Sequence, residues 1–157
     1  MSKTLVAYFS ASGVTAKLAK DLANAIGADL HEIEPAIKYT DEDLNWRNDQ
    51  SRSSVEMKDM SSRPEIKSRV ENMDQYDRVF VGFPVWWYRE PSIIDTFMEL
   101  YHFSGKTVIP FATSGISPIG DSGRIMQKLA PGAKVLEGKR FETSVSADEL
   151  KKWADQF

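Results

Sequence analysis

Short apolar runs alternate along this chain with longer segments in which apolar residues have helical spacing. Near-continuous apolar runs of six or seven residues are typical of strands buried on both faces of a parallel sheet. The charged side chains in residues 28–33 favour an edge strand there, and Pro110 marks an edge or a bulge in the fourth run. Five strands are predicted, at residues 3–9, 28–33, 78–83, 106–112 and 133–136.

The segments between these runs carry apolar residues at every third or fourth position. Leu18, Leu22 and Ile26 follow the first run at this spacing and predict a helix over residues 14–26. Strands that alternate with helices imply a parallel sheet covered by helices on both faces, which is the doubly wound α/β class. Four further helices are predicted, over residues 65–73, near Pro91, after Asp121 or Ser122, and at the Ser146–Glu149 capping box.

Residues 36–63 do not follow this alternation. They contain five basic, six acidic and five serine side chains, but neither glycine nor proline. A long stretch without regular structure is unusual inside a compact domain and is often functional. We expect a solvated surface excursion. The alternative is a flap over a neighbouring site or a partner subunit, with Trp46 as its apolar anchor.

Composition restricts the class of protein. A chain of 157 residues has the size of one domain, so we expect residues 1–157 to form a single domain. The net charge of −3 argues against nucleic acid as a partner. The absence of cysteine excludes disulfides, thiol catalysis and thiolate metal sites. The first apolar run is too short for a signal peptide or a membrane span, and we therefore expect a cytoplasmic protein without membrane contact.

Three polar loops follow the first, third and fourth predicted strands. The first loop is SASGVT at residues 10–15, the second loop is PVWWYRE at residues 84–90, and the third loop is TSGISPIG at residues 113–120. In a doubly wound sheet, ligands bind outside the carboxyl ends of the strands, where the strand order reverses. The three loops are therefore expected to form one site, although they are far apart in sequence.

The first loop has the composition of a phosphate site. The backbone N–H groups at the start of a helix have no partner within the helix, and the helix dipole favours an anion there. The hydroxyl groups of Ser10, Ser12 and Thr15 can donate further hydrogen bonds. Gly13 permits a close backbone approach or a positive φ. An ordinary Ser/Thr helix cap is the alternative interpretation.

The second and third loops suit a flat heterocycle. The aromatic residues 86–88 can stack on a planar ring, and they would otherwise form an unfavourable exposed patch. Packing of these residues against the third helix is the alternative. Thr113, Ser114 and Gly115 can hydrogen-bond the polar edge of a ring, although these three residues alone also fit an ordinary turn. FMN has a phosphate at one end and a flat conjugated ring at the other, and it fits all three loops.

Other classes of site lack the residues that they require. The first loop has no Gly-Lys-Ser/Thr of a P-loop hydrolase. It has one glycine where a dinucleotide-binding loop has three, although Glu34 lies at a suitable distance for a ribose ligand. A receiver domain would need acidic residues at the strand ends, and the first, third and fourth predicted strands do not end in Asp or Glu. His31 and His102 are isolated, which argues against a metal site and a serine triad.

The three loops together resemble those of the flavodoxin family, and the resemblance covers essentially the whole chain. SASGVT is similar to the family's phosphate loop, FPVWWYREP to the ring-binding loop of flavodoxin-like quinone reductases, and TSG to the third contact loop. The resemblance implies a flavodoxin-like five-stranded parallel sheet of order 2-1-3-4-5, and an FMN site in which the cofactor carries the chemistry. The FMN-binding residues that it implies are Ser10, Ser12, Gly13, Val14 and Thr15 at the phosphate, Pro84, Val85, Trp86 and Trp87 at the ring, and Thr113, Ser114, Gly115 and Asp121 at its polar edge.

Two features differ from the small electron-carrier flavodoxins that the chain resembles. The third loop has no aromatic residue to cover a second ring face, and the second loop has no glycine. These departures favour an FMN-dependent oxidoreductase that moves two electrons from a reduced nicotinamide to a small acceptor such as a quinone. A one-electron carrier that docks a redox protein is the alternative, and a binding module without cofactor is a third. A second subunit of a homodimer could cover the open ring face.

Overall fold

The computed structural model describes residues 3–114 and 117–157, and within them six strands form one parallel sheet. The strands are β1 (Lys3–Tyr8), β2 (Asp29–Glu32), β3 (Tyr76–Pro84), β4 (Thr107–Thr113), β5 (Lys134–Val135) and β6 (Lys139–Phe141). Their order is β2-β1-β3-β4-β5, and β6 also pairs with β4. The predicted parallel sheet of order 2-1-3-4-5 is confirmed.

Helices cover both faces of this sheet. They are α1 (Val14–Ile26), α2 (Arg52–Lys58), α3 (Ser92–Leu100), α4 (Ser122–Leu129) and α5 (Ala147–Ala154). Successive side chains of a strand point to opposite faces. Val6, Phe80 and Ile109 therefore pack with α1 and α5, while Val79 and Val108 pack with α3 and α4. No helix in the described ranges is both long and apolar enough to span a membrane.

Residues 65–73 do not form the predicted α-helix, so this prediction was wrong. Their backbone instead pairs with the chain that leaves β2. The N–H of Ala36 donates to the carbonyl of Glu65 over 2.9 Å, and the N–H of Lys67 donates to the carbonyl of Glu34 over 2.8 Å. This antiparallel pairing uses the backbone groups that a helix would have needed, and tertiary contacts of this kind override helix propensity.

Two short strands fill the fifth position of the sheet, where one strand at residues 133–136 was predicted. β5 pairs with the first half of β4 and β6 with the second half. The carbonyl of Val108 accepts from Leu136 over 2.9 Å, and alternate residues of a strand face the same neighbour, so Pro110 faces the gap between β5 and β6. Gly138 lies in that gap, where a Cβ would come within 2.3 Å of the Pro110 carbonyl oxygen. Pro110 therefore occupies a central strand without removing a ladder hydrogen bond.

Part of the 36–63 segment packs against the rest of the chain through α2. The Ser51 hydroxyl caps this helix by accepting from the Ser54 N–H, and Met57 is buried. Trp46, the expected apolar anchor, is 65% exposed. The segment is therefore held by α2, and Trp46 lies on the surface beside Arg47.

Candidate functional site

A cleft of about 640 Å³ lies at the carboxyl ends of β1, β3 and β4. The sequence-predicted residues that line it are Ser12, Val14, Pro84, Val85, Trp86, Thr113 and Ser114. The lining residues that were not predicted are Ser117, Arg140, Glu142, Thr143 and Ser144. The structure thus brings the three loops together as the parallel topology requires, and it adds the segment that follows β6.

The first loop ends in a helix start without a side-chain cap. Gly13 occupies the N-cap position with a left-handed φ of 92°. Its N–H donates to the Ser10 Oγ over 3.0 Å, so the Ser10 hydroxyl turns back into the loop. Ser12 and Val14 are exposed at the cleft, where the first-turn N–H groups of α1 begin. An anion at this position would meet backbone donors, the helix dipole and the Ser12 hydroxyl.

Thr15 connects the first and third loops. Its Oγ1 lies 2.7 Å from the Oγ1 of Thr113, and both side chains are buried. The hydroxyl of Thr15, expected at a phosphate, is thus engaged with Thr113. Ser10 lines a neighbouring groove with Glu34 and Tyr39. Of the three hydroxyls predicted at the phosphate, the one that faces the cleft is that of Ser12.

The second loop contains a tight turn beside the cleft. The N–H of Trp86 donates to the carbonyl of Arg89 over 3.0 Å, and the N–H of Arg89 donates back over 3.2 Å. Trp87 and Tyr88 between them adopt φ values of 48° and 66°, which residues with a Cβ rarely take. Backbone strain of this kind is concentrated at functional sites. Trp87 and Tyr88 point to solvent, 42% and 72% exposed, and neither lines the cleft.

Trp86 forms both the cleft wall and an aromatic cluster. Its ring meets those of Phe9 and Tyr39 edge-on, with centroids 5.6 and 5.5 Å away. Such contacts stabilise a pair by about 0.5–1.5 kcal/mol beyond the buried area. The packing partners of Trp86 therefore include the end of β1 and the 36–63 segment, whereas packing against the third helix was the expected alternative to ring binding.

Tyr39 is in turn held by α2. Its hydroxyl donates to Glu56, and the Arg52 guanidinium lies 3.8 Å from the centre of its ring. Arg52 also pairs with Glu56 over 3.0 Å. Burial, followed by the hydrogen bond to Glu56, raises the pKa of Tyr39 well above its usual range, so the phenol keeps its proton. This support for Trp86 was missed, because the 36–63 stretch has no periodic pattern that would reveal it.

The third loop is fixed by Arg140 from β6. Arg140 Nε donates to Ser114 Oγ over 3.0 Å and Nη2 donates to the Ser114 carbonyl over 2.9 Å. The Ser114 hydroxyl donates to the Ser117 carbonyl, and Arg140 pairs with Glu142 over 3.7 Å. Arg140 was missed because β6 is only three residues long. Gly115, predicted at the ring edge, lies outside the described residues.

Asp121 does not join the other predicted residues. It precedes α4, its Oδ2 lies 2.9 Å from Arg124 Nη2, and it lines a separate groove beside Glu137. The neighbouring Gly120 instead connects the third and second loops. A Cβ on Gly120 would lie 2.2 Å from the carbonyl oxygen of Tyr88, so only glycine allows this approach.

Three ionisable side chains are buried at the end of the second loop and in the first turn of α3. Arg89, Glu90 and Asp95 are 7%, 0% and 1% exposed. Arg89 Nη1 lies 3.2 Å from Asp95 Oδ2 and 3.4 Å from Glu90 Oε2. Burial, with a hydrogen bond to Asp95 and its charge, raises the pKa of Glu90 to about 9. Glu90 therefore keeps its proton at neutral pH.

The parallel sheet of order β2-β1-β3-β4-β5 with helices on both faces defines a doubly wound α/β protein, a class in which ligands bind at the carboxyl edge of the sheet. The family model described as Flavodoxin matches residues 3–157. The chain therefore belongs to the flavodoxin family. A comparison with curated proteins found no match.

Three solved structures are similar over nearly the whole chain. A protein from Bacteroides eggerthii DSM 20697 described as a flavoprotein is 49% identical, with a TM-score of 0.93 and coverage of 99% of this chain and 98% of that one. One from Bacteroides uniformis ATCC 8492 is 47% identical, with a TM-score of 0.92 and 98% coverage of both chains. A flavoprotein from Lactobacillus acidophilus NCFM, solved in complex with FMN, is 23% identical, with a TM-score of 0.73 and coverage of 98% and 99%.

Proposed function

We propose that this chain binds FMN in the cleft formed by the three loops. The observation that carries the proposal is the pairing of two features in one cleft: an uncapped helix start with an exposed serine, and a wall that contains a tryptophan. The first suits a phosphate and the second suits a planar ring. The FMN complex of the similar Lactobacillus acidophilus flavoprotein supports the same cofactor.

The chain's own residues divide the work of binding. Ser12 and the first-turn N–H groups of α1 would hold the phosphate. Val85 and Trp86 would hold the ring on their apolar surfaces, and Ser114 would lie at the ring edge with its hydroxyl and carbonyl groups fixed by Arg140. Arg140 is bonded to Ser114 and acts through it. Thr15 and Thr113 would contribute indirectly, because their hydroxyl groups form a hydrogen bond with each other.

When bound, FMN supplies hydride- or electron-transfer chemistry that side chains do not provide. The cleft walls would orient the cofactor and exclude water from one side of the ring. We propose an oxidoreductase that moves two electrons from a reduced nicotinamide to a small acceptor such as a quinone. The lack of an aromatic residue in the third loop supports this proposal, because one side of the ring is then accessible to a small molecule.

A one-electron carrier that docks a redox protein is the second candidate. The exposed side chains of Trp87 and Tyr88 favour it, since they lie at the tip of the second loop, where a protein partner would make contact. The two candidates differ in what they need at this tip. A small substrate needs access to the cleft, whereas a protein partner needs the exposed aromatic surface itself.

Titration of the apoprotein with FMN tests the cofactor. We expect flavin fluorescence to change at micromolar FMN and riboflavin to bind more weakly, because riboflavin lacks the phosphate. Absence of binding at micromolar FMN would contradict the proposal.

Anaerobic mixing of the FMN-loaded protein with a reduced nicotinamide, followed by a quinone, tests the reaction. Bleaching and recovery of the flavin absorbance support the oxidoreductase. Trp87→Ala should leave these rates unchanged if the acceptor is small, and should slow reduction by a redox protein if the chain is a carrier.

A further inference from the structure

The turn in the second loop has a conformation that its own residues do not favour. Trp87 and Tyr88 both adopt a left-handed φ, and a Cβ makes this region unfavourable. Two-residue turns with this geometry usually contain Asn or Gly. The hydrogen bonds between Trp86 and Arg89 close the turn, but they are those of any such turn. Contacts outside the turn must therefore hold it.

The side chain of Arg89 makes those contacts. Its Nη1 lies 3.2 Å from Asp95 Oδ2 at the start of α3, and it donates to the Glu90 carbonyl over 3.1 Å. The same nitrogen lies 3.4 Å from Glu90 Oε2. All three side chains are nearly inaccessible to solvent. Arg89 thus closes the turn through its backbone, and its side chain is held in the protein interior by Glu90 and Asp95.

Glu90 is surrounded by other ionisable groups. The groups that face Glu90 are Arg89 from its own loop, Asp95 from α3, and Arg63 from the segment after α2, which pairs with Glu99. Burial, followed by a hydrogen bond to Asp95 and the charge of Asp95, raises the pKa of Glu90 to about 9. Glu90 therefore adds no negative charge to the cluster at neutral pH.

We propose that Arg89 is a positioning residue, which holds the Trp86–Arg89 turn, and through Trp86 the cleft wall, by its grip on Glu90 and Asp95. Buried ion pairs are often no more stabilising than apolar side chains of similar volume, because desolvation offsets the attraction. Their advantage is directional, since the rigid planar guanidinium fixes the position of Nη1 between the two carboxyl groups. The effect on FMN rests on the proposed function, but the effect on the turn does not.

Hydrogen exchange of the full chain without FMN tests the turn directly, because the N–H groups of Trp86 and Arg89 form its two hydrogen bonds. The triple variant R89M/E90Q/D95N removes every charge, so no unpaired charge is left buried. We expect these two amides to exchange at least tenfold faster than in the wild type, relative to the amides of β1 and β4. Unchanged relative exchange would overturn the proposal.

Arg78→Met is the matched control. Arg78 is also partly buried, and it donates to Thr4 Oγ1 and to the Phe157 carbonyl, away from the second loop. Its loss should destabilise the chain and leave the relative exchange at the turn within twofold of wild type. An equal acceleration at the turn in this control would overturn the assignment to Arg89.

Arg89→Lys is a second test of the proposal, for the case that the triple variant does not fold. Lysine keeps the charge but replaces the rigid planar guanidinium, whose Nη1 contacts both carboxyl groups, by an ammonium on a flexible stem. Turn exchange should therefore rise at least threefold, whereas unchanged exchange would overturn the proposal. Glu90→Gln keeps an uncharged hydrogen-bonding side chain, and exchange should stay within twofold. A tenfold rise in this variant would contradict the charge assignment.

FMN affinity separates this proposal from the proposed function. In the triple variant the dissociation constant should rise at least tenfold. If wild-type protein binds FMN and the triple variant binds it equally well, the positioning role is overturned. If wild-type protein does not bind FMN, the proposed function is overturned, and the exchange measurement still decides the role of Arg89.

Discussion

The first and second loops line the same cleft, but they are held in different ways. The turn of the first loop is held by its own atoms: Ser10 accepts a hydrogen bond from the Gly13 N–H, and the positive φ of Gly13 turns the chain into α1. Its one distant side-chain hydrogen bond in the part of the chain that the structure describes is that of Thr15, at its end, with Thr113. The second loop depends on residues distant in sequence, since Trp86 packs on Phe9 and Tyr39. A loop that is held by local contacts tolerates substitutions elsewhere in the chain. Substitutions at the distant partners of the second loop, in contrast, are expected to displace the cleft wall.

The 36–63 segment therefore has a place in the site without lining the cleft. Its helix α2 holds Tyr39 through Arg52 and Glu56, and Tyr39 holds Trp86. Packed side chains of this kind transmit a displacement because interiors are close to crystal density. Substitutions in α2 are thus expected to change cofactor affinity, although no residue of this helix lines the cleft.

Among the substitutions that act on the cleft wall, Trp86→Ala should have the largest effect. It removes two edge-on aromatic contacts and part of the cleft wall, so we expect about 3 kcal/mol less free energy of unfolding and an FMN affinity weaker by about 1–3 kcal/mol. Urea unfolding and fluorescence titration measure the two quantities. Trp87→Ala is the control, because its exposed side chain should contribute within about 0.5 kcal/mol to unfolding. Equal losses for the two tryptophans would show that remote contacts do not hold the second loop.

Tyr39→Phe should have the next largest effect. It keeps the ring against Trp86 and removes the hydroxyl that donates to Glu56. A hydrogen bond to a charged group contributes roughly 1.5–3 kcal/mol, and the remaining pair of Glu56 with Arg52 reduces this loss to about 1.5 kcal/mol. Urea unfolding of Tyr39→Phe against Tyr88→Phe, whose hydroxyl is at an exposed site, measures it. If FMN affinity falls with stability in Tyr39→Phe alone, the connection from α2 to the cleft is supported.

The contrast between the two loops also explains how far sequence reasoning reached. The sheet order and the first loop were predictable because apolar runs and a glycine at a helix start are local signals. The support of Trp86 was not predictable, since Tyr39 and Glu56 are 17 residues apart in a polar stretch without periodicity. The helix predicted at residues 65–73 failed for the same reason, because a distant partner segment took its backbone hydrogen bonds.

Within the site, the same distinction separates the residues that were found from those that were not. Ser12, Val85 and Trp86 line the cleft because they directly follow strand ends. Asp121 was assigned by resemblance alone and lies in another groove. Arg140 lies in a strand of three residues that carries no recognisable pattern. Proximity to a strong strand thus decided which residues the sequence could reveal.

The pH dependence of the stability of Glu90→Gln tests the buried side of the second loop. The pKa of Glu90 rises from an ordinary value of 4.5 to about 9 on folding, so between these pH values the unfolded chain releases a proton that the folded chain keeps. Stability therefore falls as pH rises through this window, by at most about 1.4 kcal/mol per pH unit. Glutamine does not titrate, so the variant should gain stability relative to wild type from pH 5 to pH 8.

Thermal unfolding across this pH range measures the gain, with Glu65→Gln at an exposed site as the control. A difference between Glu90→Gln and wild type that is constant with pH would mean that Glu90 is ionised in the folded chain. The buried cluster would then contain an ionised Glu90, and the position of Arg89 would need another explanation.

Ser12→Ala should have the smallest effect, and it sharpens the comparison from the side of the first loop. The Ser12 hydroxyl is exposed at an uncapped helix start, so its loss should leave unfolding within about 0.5 kcal/mol and weaken FMN binding by about 1 kcal/mol. Riboflavin affinity should not change, because riboflavin has no phosphate. Ser10→Ala is the matched control: it removes the acceptor of the Gly13 N–H and should lower stability. Equal losses of FMN and riboflavin affinity in Ser12→Ala would mean that the phosphate is held elsewhere, and the first loop would then be only a turn into α1.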